Sequence, residues 1–385
     1  QHAHGARHPL RQAEGGRFIL RHMKNSIGTS VILTVFGESH GPAVGVVLDG
    51  LAPGVRVDDA FIASQLSRRR PAGQLDTARV ENDNYQIISG VHNGYATGAP
   101  LTIVIPNENV RSSDYQEGVA RPSHSDFVAE MKYHGFEDLR GGGHFSGRVT
   151  AGVVAAGAIC LTALRSRGIT VGTHILRCGD VSDRPFSLDP AAEISTLEDK
   201  PFPVLDDVAE AMGAEILAAK ADGDSVGGVV QCAVGGLPAG VGEPWFDSLE
   251  GMISRAVFAI GGIKGIEFGA GFGLSGMRGS SANDPFRIAG GRVVTSTNNS
   301  GGINGGISNG MPLVFNMAVR PTPSVFKSQK TVDFRRGEEV ELNLKGRHDP
   351  AIVRRICIVV TSMVAAVLCD ALALRFGTDY LMGEQ

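Results

Sequence analysis

The sequence predicts an α+β fold in which long apolar helices are layered against strands. Two apolar runs, residues 151–164 and 356–369, are shorter than the roughly 20 residues needed to span a bilayer, so both are predicted to be buried core helices. Strand-like segments precede each run, and the two halves of the chain repeat part of each other's sequence. Strands followed by a buried helix, occurring twice, predict one layered domain.

Local signals place the elements of the first half. Asp58 is predicted to cap a short helix that Pro71 terminates, because proline cannot continue a helix. The predicted elements are, in order, two strands within residues 30–51 around the turn 37-GESHG-41, a helix between Asp58 and Pro71, strands at 85–91 and 101–105, and an irregular polar segment at 106–148.

The second half is predicted in the same way. Gly168 is a natural C′ residue for a first long helix, and Asp349 followed by Pro350 suits the N-cap and first position of a last one. The predicted elements are a helix at 149–167, an amphipathic helix through Leu205, Val208, Met212, Ile216 and Ala219, strands at 226–234 and 312–319, and a helix from Asp349 to about Phe376.

The echo between the halves predicts an internal pseudo-duplication. Residues 46–55 resemble 232–241, and residues 94–104 resemble 306–316, in the same order. Residues 23–385 are therefore predicted to form a single domain. Residues 1–22, rich in His, Arg and Gly without periodicity, are predicted to be a disordered N-terminal extension from upstream translation or cloning, with an organelle transit peptide as the alternative.

Composition excludes several function classes. The net charge of −4 gives no overall basic field, so a general nucleic-acid binder is not expected. Five cysteines without a C-x-x-C pair indicate a reducing compartment and no disulfide framework. No residue spacing suggests a metal centre. Glycine is abundant, at 52 residues of 385.

Arginines and histidines gather in the loops rather than on helix faces. Each has an ordinary structural explanation, such as a charged helix terminus or a turn residue. Together they favour an anion site, because arginine binds phosphate and carboxylate in a bidentate manner and glycines let backbone amides approach a ligand. The stretch 140-RGGGHFSGRVTAG-152 combines both features and leads into a predicted helix N-terminus, so it is predicted to form an anion-binding cradle.

Ten motifs in register resemble the chorismate synthase family across residues 23–385. They are FGESHG (36–41), RRRP (68–71), NVRSSDY (109–115), RPSHSD (121–126), RGGGHFSGRVTAG (140–152), GDSVGG (223–228), IKGIEFGAGF (263–272), GGINGGISNG (301–310), RPTPS (320–324) and GRHDP (346–350).

The resemblance implies a reaction, a cofactor and a fold. The reaction is the 1,4-anti elimination of phosphate from 5-enolpyruvylshikimate 3-phosphate to give chorismate, and it requires reduced FMN without net redox change. The implied fold is a β-α-β sandwich with buried central helices between antiparallel sheets, assembled as a homotetramer. NADPH enters only if the chain also reduces its own flavin; otherwise a separate flavin reductase is a partner. No membrane is expected, and the expected location is the cytoplasm, with a plastid as the alternative.

The resemblance also implies residue roles. His40 would protonate the departing phosphate, His124 would hold the anionic reduced flavin, and Asp349 would help remove the ring proton through flavin N5. The implied substrate-binding residues are Ser39, His40, Arg69, Arg121, Arg148 and Arg347. The implied flavin-contacting residues are His124, His144, Phe145, Ser146, Gly261, Gly262, Gly305, Arg320, Pro321, Thr322, Pro323, Ser324 and Arg347.

The chain departs from the family pattern in a few places. Ser123 stands where a glycine is common, Arg320 where a lysine is common, and residues 261–262 are Gly-Gly. After RRRP the family has a further basic residue before the threonine, whereas this chain is one residue shorter and has Gln74, Leu75 and Asp76. Arg68, Arg70 or Arg79 could replace the missing charge.

Two alternatives remain open at this stage. An FMN-dependent reductase would use the same cofactor for net hydride transfer. A catalytically silent flavin- or phosphate-binding homologue would keep the motifs without the reaction, and the missing basic residue motivates this alternative.

Overall fold

The computed structural model describes residues 25–71, 73–76, 81–109, 118–344 and 349–382. The helices are α1 Asp59–Arg69, α2 Asp126–Tyr133, α3 Thr150–Arg165, α4 Ala191–Leu197, α5 Ala209–Ala221, α6 Leu249–Val257, α7 Gly279–Ala282 and α8 Val353–Phe376. The strands are β1 Ser26–Ile27, β2 Ile32–Gly37, β3 Ala43–Asp49, β4 Gln86–Ser89, β5 Val91–His92, β6 Tyr95–Ala96, β7 Leu101–Pro106, β8 Thr170–Cys178, β9 Val181–Ser182, β10 Gly228–Gly235, β11 Ile263–Phe268, β12 Phe286–Ala289, β13 Arg292–Thr295, β14 Ile303–Asn304, β15 Ile307–Ser308, β16 Leu313–Val319, β17 Gln329–Asp333 and β18 Glu338–Leu342.

Two five-stranded antiparallel sheets enclose the two long helices. Helix α3 lies on the first sheet, where a Cβ on Gly152 would be 2.9 Å from the backbone of Gly45. Helix α8 lies on the second sheet, where Thr361 Oγ1 donates to Thr173 Oγ1 at 2.9 Å. The helices α3 and α8 contact each other at Gly157, and the predicted α+β sandwich with central helices is therefore confirmed.

The sheet topology agrees with the internal pseudo-duplication. The strand order is β1-β2-β3-β7-β4 in the first sheet and β9-β8-β10-β16-β11 in the second. Strands β3 and β7 pair with Leu48 opposite Leu101. Their counterparts β10 and β16 pair with Val234 opposite Leu313, the same register in the echoed segments. The two sheets differ at the short edge strands β1 and β9. Along the chain, β1 comes before its neighbour β2, whereas β9 comes after its neighbour β8.

Several local predictions are confirmed at the atomic level. The Asp58 side chain accepts a hydrogen bond from the Phe61 N–H at 3.1 Å and so caps α1. Gly168 has φ +71°, and Ile169 N–H donates to Leu164 O at 3.0 Å, as in a Schellman motif at the end of α3. These elements follow from neighbouring residues alone, which explains why the sequence predicts them.

Three predictions are corrected. Helix α5 begins at Ala209, so Leu205 and the N-cap residue Val208 of the predicted amphipathic helix lie before it. The last helix begins at Val353 after an Ile352 N-cap, so Asp349 and Pro350 lie before it, and Asp349 is held by an ion pair instead. The segment 106–148 is not wholly irregular, because it contains α2. The predicted extension, residues 1–22, lies outside the described residues.

Both long apolar helices are core helices, as predicted. With their flanking residues, the helical segments Gly147–Arg165 and Val353–Phe376 are long and apolar enough to cross a membrane by length and composition, but most of the first and all of the second is buried inside the protein. The five cysteines are free thiols and all are buried. Burial raises the pKa of Cys232 to about 12, so this thiol is not a reactive nucleophile at neutral pH.

A buried polar group fixes the outer face of the second sheet. His174 is fully buried, with Nδ1 3.1 Å from Asp183 Oδ2 and Nε2 3.3 Å from Gln231 Oε1. Burial by itself would raise the pKa of Asp183, but hydrogen bonds from His174 and from three backbone N–H groups lower it to about 2. The donors of those backbone bonds are Arg184, Leu205 and Asp206.

This arrangement predicts an acid-dependent contribution to stability. Because the folded-state pKa of Asp183 lies below its ordinary value near 3.8, the contribution is present above pH 4 and is lost as the pH falls toward 2. We expect Asp183→Asn to lower the free energy of unfolding at pH 7 by about 2 kcal/mol. Urea titrations between pH 2 and 7 should also show a shallower acid limb for this variant than for the wild type.

Asp180→Asn is the matched control, because Asp180 lies in the turn just before β9 and its side chain is exposed. Its unfolding curves should coincide with those of the wild type. Equal acid limbs for the wild type and Asp183→Asn would contradict the role given to Asp183.

Candidate active site

The turn between β2 and β3 holds Ser39 and His40 against the glycine stretch. Ser39 is fully buried, and its N–H donates to Gly143 O at 3.0 Å. Asn107 fixes the turn from the other side, since its Nδ2 donates to Glu38 O at 2.9 Å and to Gly41 O at 2.8 Å. Two motifs about 100 residues apart therefore form one surface, with His40 partly exposed on it.

Gly141 lies directly against His40. It has φ +64°, and a Cβ at this position would be 2.5 Å from His40 Nε2 and 2.9 Å from Ser39 Oγ. Gly142 also has a positive φ, +84°, but among the described residues its Cβ would meet only Ser146 Cβ, at 3.7 Å. The glycine run is therefore a close-packed support for the His40 turn and not a flexible linker.

His144 and Ser146 anchor the end of the glycine stretch. The His144 Nδ1–H donates to Gly37 O at 2.7 Å, and Ser146 Oγ accepts from the Arg148 N–H at 3.3 Å. Phe145 remains 47% exposed beside Tyr133, with ring centroids 6.2 Å apart. Of these three residues, Phe145 is the one whose side chain is open to a ligand.

Two buried arginines share one carboxylate at the centre of the site. Arg69 Nη2 donates to Asp83 Oδ2 at 2.8 Å, and Arg148 Nη1 donates to Asp83 Oδ1. Arg148 also donates to Asn107 Oδ1 at 2.9 Å and to Pro106 O at 3.0 Å. The RRRP motif and the stretch that contains Arg148 therefore meet at Asp83.

This cluster carries an excess of positive charge in a buried place. Burial lowers the pKa of Arg69 to about 10, although Asp83 acts in the opposite direction. Burial disfavours the charged carboxylate of Asp83, but Arg69 and Arg148 hold its pKa below the ordinary value. Asp83 is therefore an anion, and it compensates only one of the two arginines.

Asp349 is tied to the same cluster through Arg355. Arg355 Nη1 donates to Asp349 Oδ2 at 2.8 Å, and Arg355 Nε donates to Arg69 O at 2.8 Å. Pro350 O accepts from the Val226 N–H at 2.9 Å, which brings the GDSVGG loop to this side of the site. Asp349 therefore lies between the arginine cluster and that loop.

The RPSHSD and RPTPS motifs contact each other. His124 Nε2 lies 2.8 Å from Ser324 Oγ, and Arg320 Nη1 donates to Ser123 O at 3.0 Å. Arg121 forms a bidentate pair with Asp126, at 2.8 Å and 2.7 Å. Ser123 has φ +63°, a conformation that favours glycine, which gives a physical reason for the glycine common at this position.

Further contacts join the RPTPS loop to its neighbours. Ser225 Oγ donates to Thr322 O at 2.6 Å, and the Arg320 N–H donates to Gly262 O at 2.9 Å. Gly262 has φ +100°, and a Cβ there would lie 2.7 Å from Ile352 Cδ1. Residues 261–262, 320–324 and 349–350 therefore belong to one region.

Two predicted site residues are not placed in this region. Gly305 lies in the turn between β14 and β15, beside the first end of β16, where Val314 N–H donates to Gly301 O. Arg320 follows the opposite end of β16. The two ends of this strand are about 20 Å apart, at a rise of about 3.3 Å per residue. Arg347 lies outside the described residues.

Sequence reasoning missed Asp83, Asn107 and Arg355. Asp83 and Asn107 lie in polar segments without periodicity, and nothing local marks them. Arg354 and Arg355 form a basic pair directly before the last apolar run, and this pair was a local sign that Arg355 has a role. Its partner Arg69 could not be predicted, because it lies 286 residues away in the chain.

The site retains unused hydrogen-bond donors. Arg69 Nε, Arg70 Nε and Thr322 Oγ1 are buried and have no hydrogen-bond partner among the described residues. Buried donors without partners are costly, so they indicate a ligand that accepts hydrogen bonds. The described residues contain no cluster of His, Cys, Asp or Glu suited to a metal ion. The donor set fits phosphate and carboxylate groups, including those of an anionic cofactor.

The fold and site together define an α+β protein whose site suits a multiply anionic ligand. The family model described as chorismate synthase matches residues 31–373. The chain is 45% identical over 352 residues to the chorismate synthase of Thermococcus gammatolerans, with 90% of this chain and 97% of that protein covered. It is 46% identical over 359 residues to that of Dehalococcoides mccartyi strain BAV1, with 92% and 98% covered.

A solved structure agrees with these relatives. A crystal structure of chorismate synthase matches with a TM-score of 0.72 at 27% identity, covering 91% of this chain and 94% of that chain. The chain belongs to the chorismate synthase family. It is a carbon–oxygen lyase of the shikimate pathway, which supplies aromatic amino acid biosynthesis.

The glycine contacts give a prediction specific to His40. Gly141→Ala should displace His40, the predicted proton donor, and lower turnover by at least about 10-fold if His40 has that role, because a misplaced catalytic group loses much of its effect. Gly142→Ala is the matched control, since its positive φ brings similar backbone strain without the clash. Phosphate-release rates and melting temperatures of both variants check this expectation. Equal rates for both variants would contradict it.

Proposed function

We propose that this region is the active site for the family's reaction, the 1,4-anti elimination of phosphate from 5-enolpyruvylshikimate 3-phosphate to give chorismate. One observation carries the proposal: two buried arginines share the single carboxylate of Asp83. An uncompensated buried charge is strongly unfavourable, so the cluster requires an anion. The substrate has a phosphate and two carboxylates, which match this requirement.

The chain's own residues divide the work on the substrate. Arg69 and Arg148 bind anionic groups from the Asp83 side, and Arg121 and Arg347 complete the binding set. His40 protonates the departing phosphate from the turn that Gly141 supports, and Ser39 orients that turn. Asp349, fixed by Arg355, helps to remove the ring proton. Both proton-transfer groups are therefore held on rigid neighbours, as general acid–base catalysis requires.

Reduced FMN fits beside His124 and the RPTPS loop. Thr322 Oγ1 is a buried donor without a partner, His124 is positioned by Ser324, and the Phe145 ring is exposed for contact with a flat ligand. His144, Ser146, Gly261, Gly262, Arg320, Pro321, Pro323, Ser324 and Arg347 complete the proposed flavin contacts. When bound, the reduced cofactor supplies electron density to the breaking allylic C–O bond.

We propose that Gly305 contacts the flavin bound by another copy of the chain. A single chain holds it at the far end of β16, so contact with flavin would require a second copy, which accords with the proposed homotetramer. We also propose a cytoplasmic enzyme whose flavin is reduced by a separate reductase, with NADPH used only if the chain reduces FMN itself.

A cofactor titration tests the flavin part of the proposal. Under anaerobic conditions, His124→Ala and Ser324→Ala should weaken the binding of reduced FMN by about 10-fold or more, because each removes one side of the His124–Ser324 contact. Ser328→Ala is the control, since Ser328 is exposed and its hydroxyl, among the described residues, bonds to Glu341 on the neighbouring strand β18. Unchanged FMN affinity in both site variants would argue against this location.

An activity assay tests the reaction itself. With chemically reduced FMN and no oxygen, the wild type should release phosphate from the substrate, and oxidised FMN should not support the reaction. FMN binding without phosphate release would favour a silent homologue, and substrate reduction would favour a reductase.

A further inference from the structure

The end of α1 and the start of α8 are joined by two consecutive arginines. The last carbonyls of a helix have no partner within it. Arg355 Nε donates to Arg69 O at 2.8 Å, and Arg354 Nη2 donates to Arg70 O at 2.7 Å. The two arginines therefore fix the backbone from which the side chains of Arg69 and Arg70 project.

Arg354 is itself held by Asp76. Arg354 is 8% exposed and Asp76 is 4% exposed, and Arg354 Nη2 donates to Asp76 Oδ2. Arg354 Nη1 also reaches Pro201 O at 3.5 Å. Asp76 lies in the short segment where the chain departs from the family pattern. Its carboxylate is paired with Arg354, so the segment adds no net charge to the anion site.

The structure distinguishes two of the three arginines that could replace the missing basic residue. Arg68 is turned away, because its Nη1 donates to Gln65 Oε1 at 2.9 Å and its Nη2 to Leu197 O at 3.4 Å. Arg79 lies outside the described residues. Arg70 faces the cluster, with Nε 3.9 Å from Asp83 Oδ2, a distance too long for a hydrogen bond.

Arg70 combines access with an unused donor. Its side chain is 34% exposed, whereas those of Arg69 and Arg148 are 5% and 3% exposed. Its Nε is buried without a hydrogen-bond partner among the described residues. Asp83 is already shared by Arg69 and Arg148 and cannot compensate a third cation. A guanidinium in this situation is suited to bind an incoming phosphate.

We propose that Arg70 binds the phosphate group of the substrate and that Arg354, paired with Asp76, is the positioning residue that aims Arg70 at it. The proposal rests on the proposed function of the site, and it gives roles to Arg70 and Arg354, which the family resemblance leaves without one. Arg354 acts on the backbone of Arg70 and does not touch the substrate.

Arg70→Gln tests the binding role. It should raise KM for the substrate by about 10-fold or more, the effect of losing a charge-assisted hydrogen bond, with kcat within about 3-fold of the wild type. The inhibition constant of inorganic phosphate should rise by a similar factor. Arg68→Gln is the matched control on the same helical turn and should leave both constants unchanged.

Arg354→Met tests the positioning role through a double-mutant cycle. The single variant should also raise KM and the phosphate inhibition constant. In the Arg70→Gln background it should add little, because it acts through Arg70. Arg354→Lys keeps a positive charge beside Asp76 and provides a second variant if the methionine variant is unstable. Melting temperatures identify effects that come from unfolding alone.

The experiments distinguish failure of the proposed function from failure of the roles given to Arg70 and Arg354. If the wild type releases no phosphate from the substrate, the proposed function fails, and direct calorimetric binding of inorganic phosphate to wild type and Arg70→Gln still tests the inference. If the wild type is active but Arg70→Gln keeps its KM and phosphate inhibition, the inference is overturned. If the KM of the double variant rises by the product of the two single-variant factors, Arg354 does not act through Arg70, and its positioning role is overturned.

Discussion

Replacing His40 with asparagine is expected to lower the turnover number for phosphate release by about 10²–10⁴-fold. His40 lies partly exposed on the turn that Asn107 and Gly141 hold in place, and the proposed function assigns it the role of proton donor to the departing phosphate. Asparagine preserves polarity and approximate size but cannot transfer a proton. The affinity for reduced FMN and the melting temperature should change little.

His92→Asn provides the matched control, because His92 lies exposed on β5. Its turnover number should equal that of the wild type. A His40→Asn rate within about 3-fold of the wild type would remove His40 from the mechanism and leave Asp349 as the main proton-transfer group of the proposal.

Gly157→Ala is expected to cause a large loss of stability for a change of a single methyl group. Gly157 lies where α3 crosses α8, and a Cβ there would be 2.6 Å from the Ser362 Cα, a backbone atom. Because both helices are buried between the sheets, they cannot separate without disturbing the packing of the core. We expect the free energy of unfolding to fall by about 3 kcal/mol, at the upper end for overpacking.

Gly213→Ala separates this clash from the general effect of glycine in a helix. Gly213 lies in α5, and among the described residues a Cβ there would meet only Leu75 side-chain atoms, at 3.7 and 3.8 Å, which are ordinary contacts. This variant should be as stable as the wild type or more stable by about 0.5–1 kcal/mol. Similar urea midpoints for the two variants would contradict the close crossing of α3 and α8.

The long helices and the central strands were predictable because their signals are local. Asp58 caps α1 and Gly168 ends α3 through contacts with residues at most five positions away. The apolar runs of α3 and α8 are continuous because the sandwich buries both helices on all sides. The same duplication that repeats the sequence segments repeats the strand order in both sheets.

The organisation of the site was not predictable from spacing alone. Asp349 followed by Pro350 suggested a helix start, but the competing ion pair with Arg355 determines the position of Asp349. The role of Asp83 is set by Arg69 and Arg148, which lie 14 and 65 residues away in the chain. Such pairings arise from the tertiary fold, and no local pattern encodes them.

The measurement that tests the central claim most directly follows three quantities in one anaerobic reaction with chemically reduced FMN. They are the phosphate released, the chorismate formed and the oxidation state of the flavin. An elimination without net redox change predicts equal amounts of phosphate and chorismate over many turnovers, with the flavin still reduced at the end. Flavin oxidised in proportion to substrate consumed, or substrate left intact, would contradict the account.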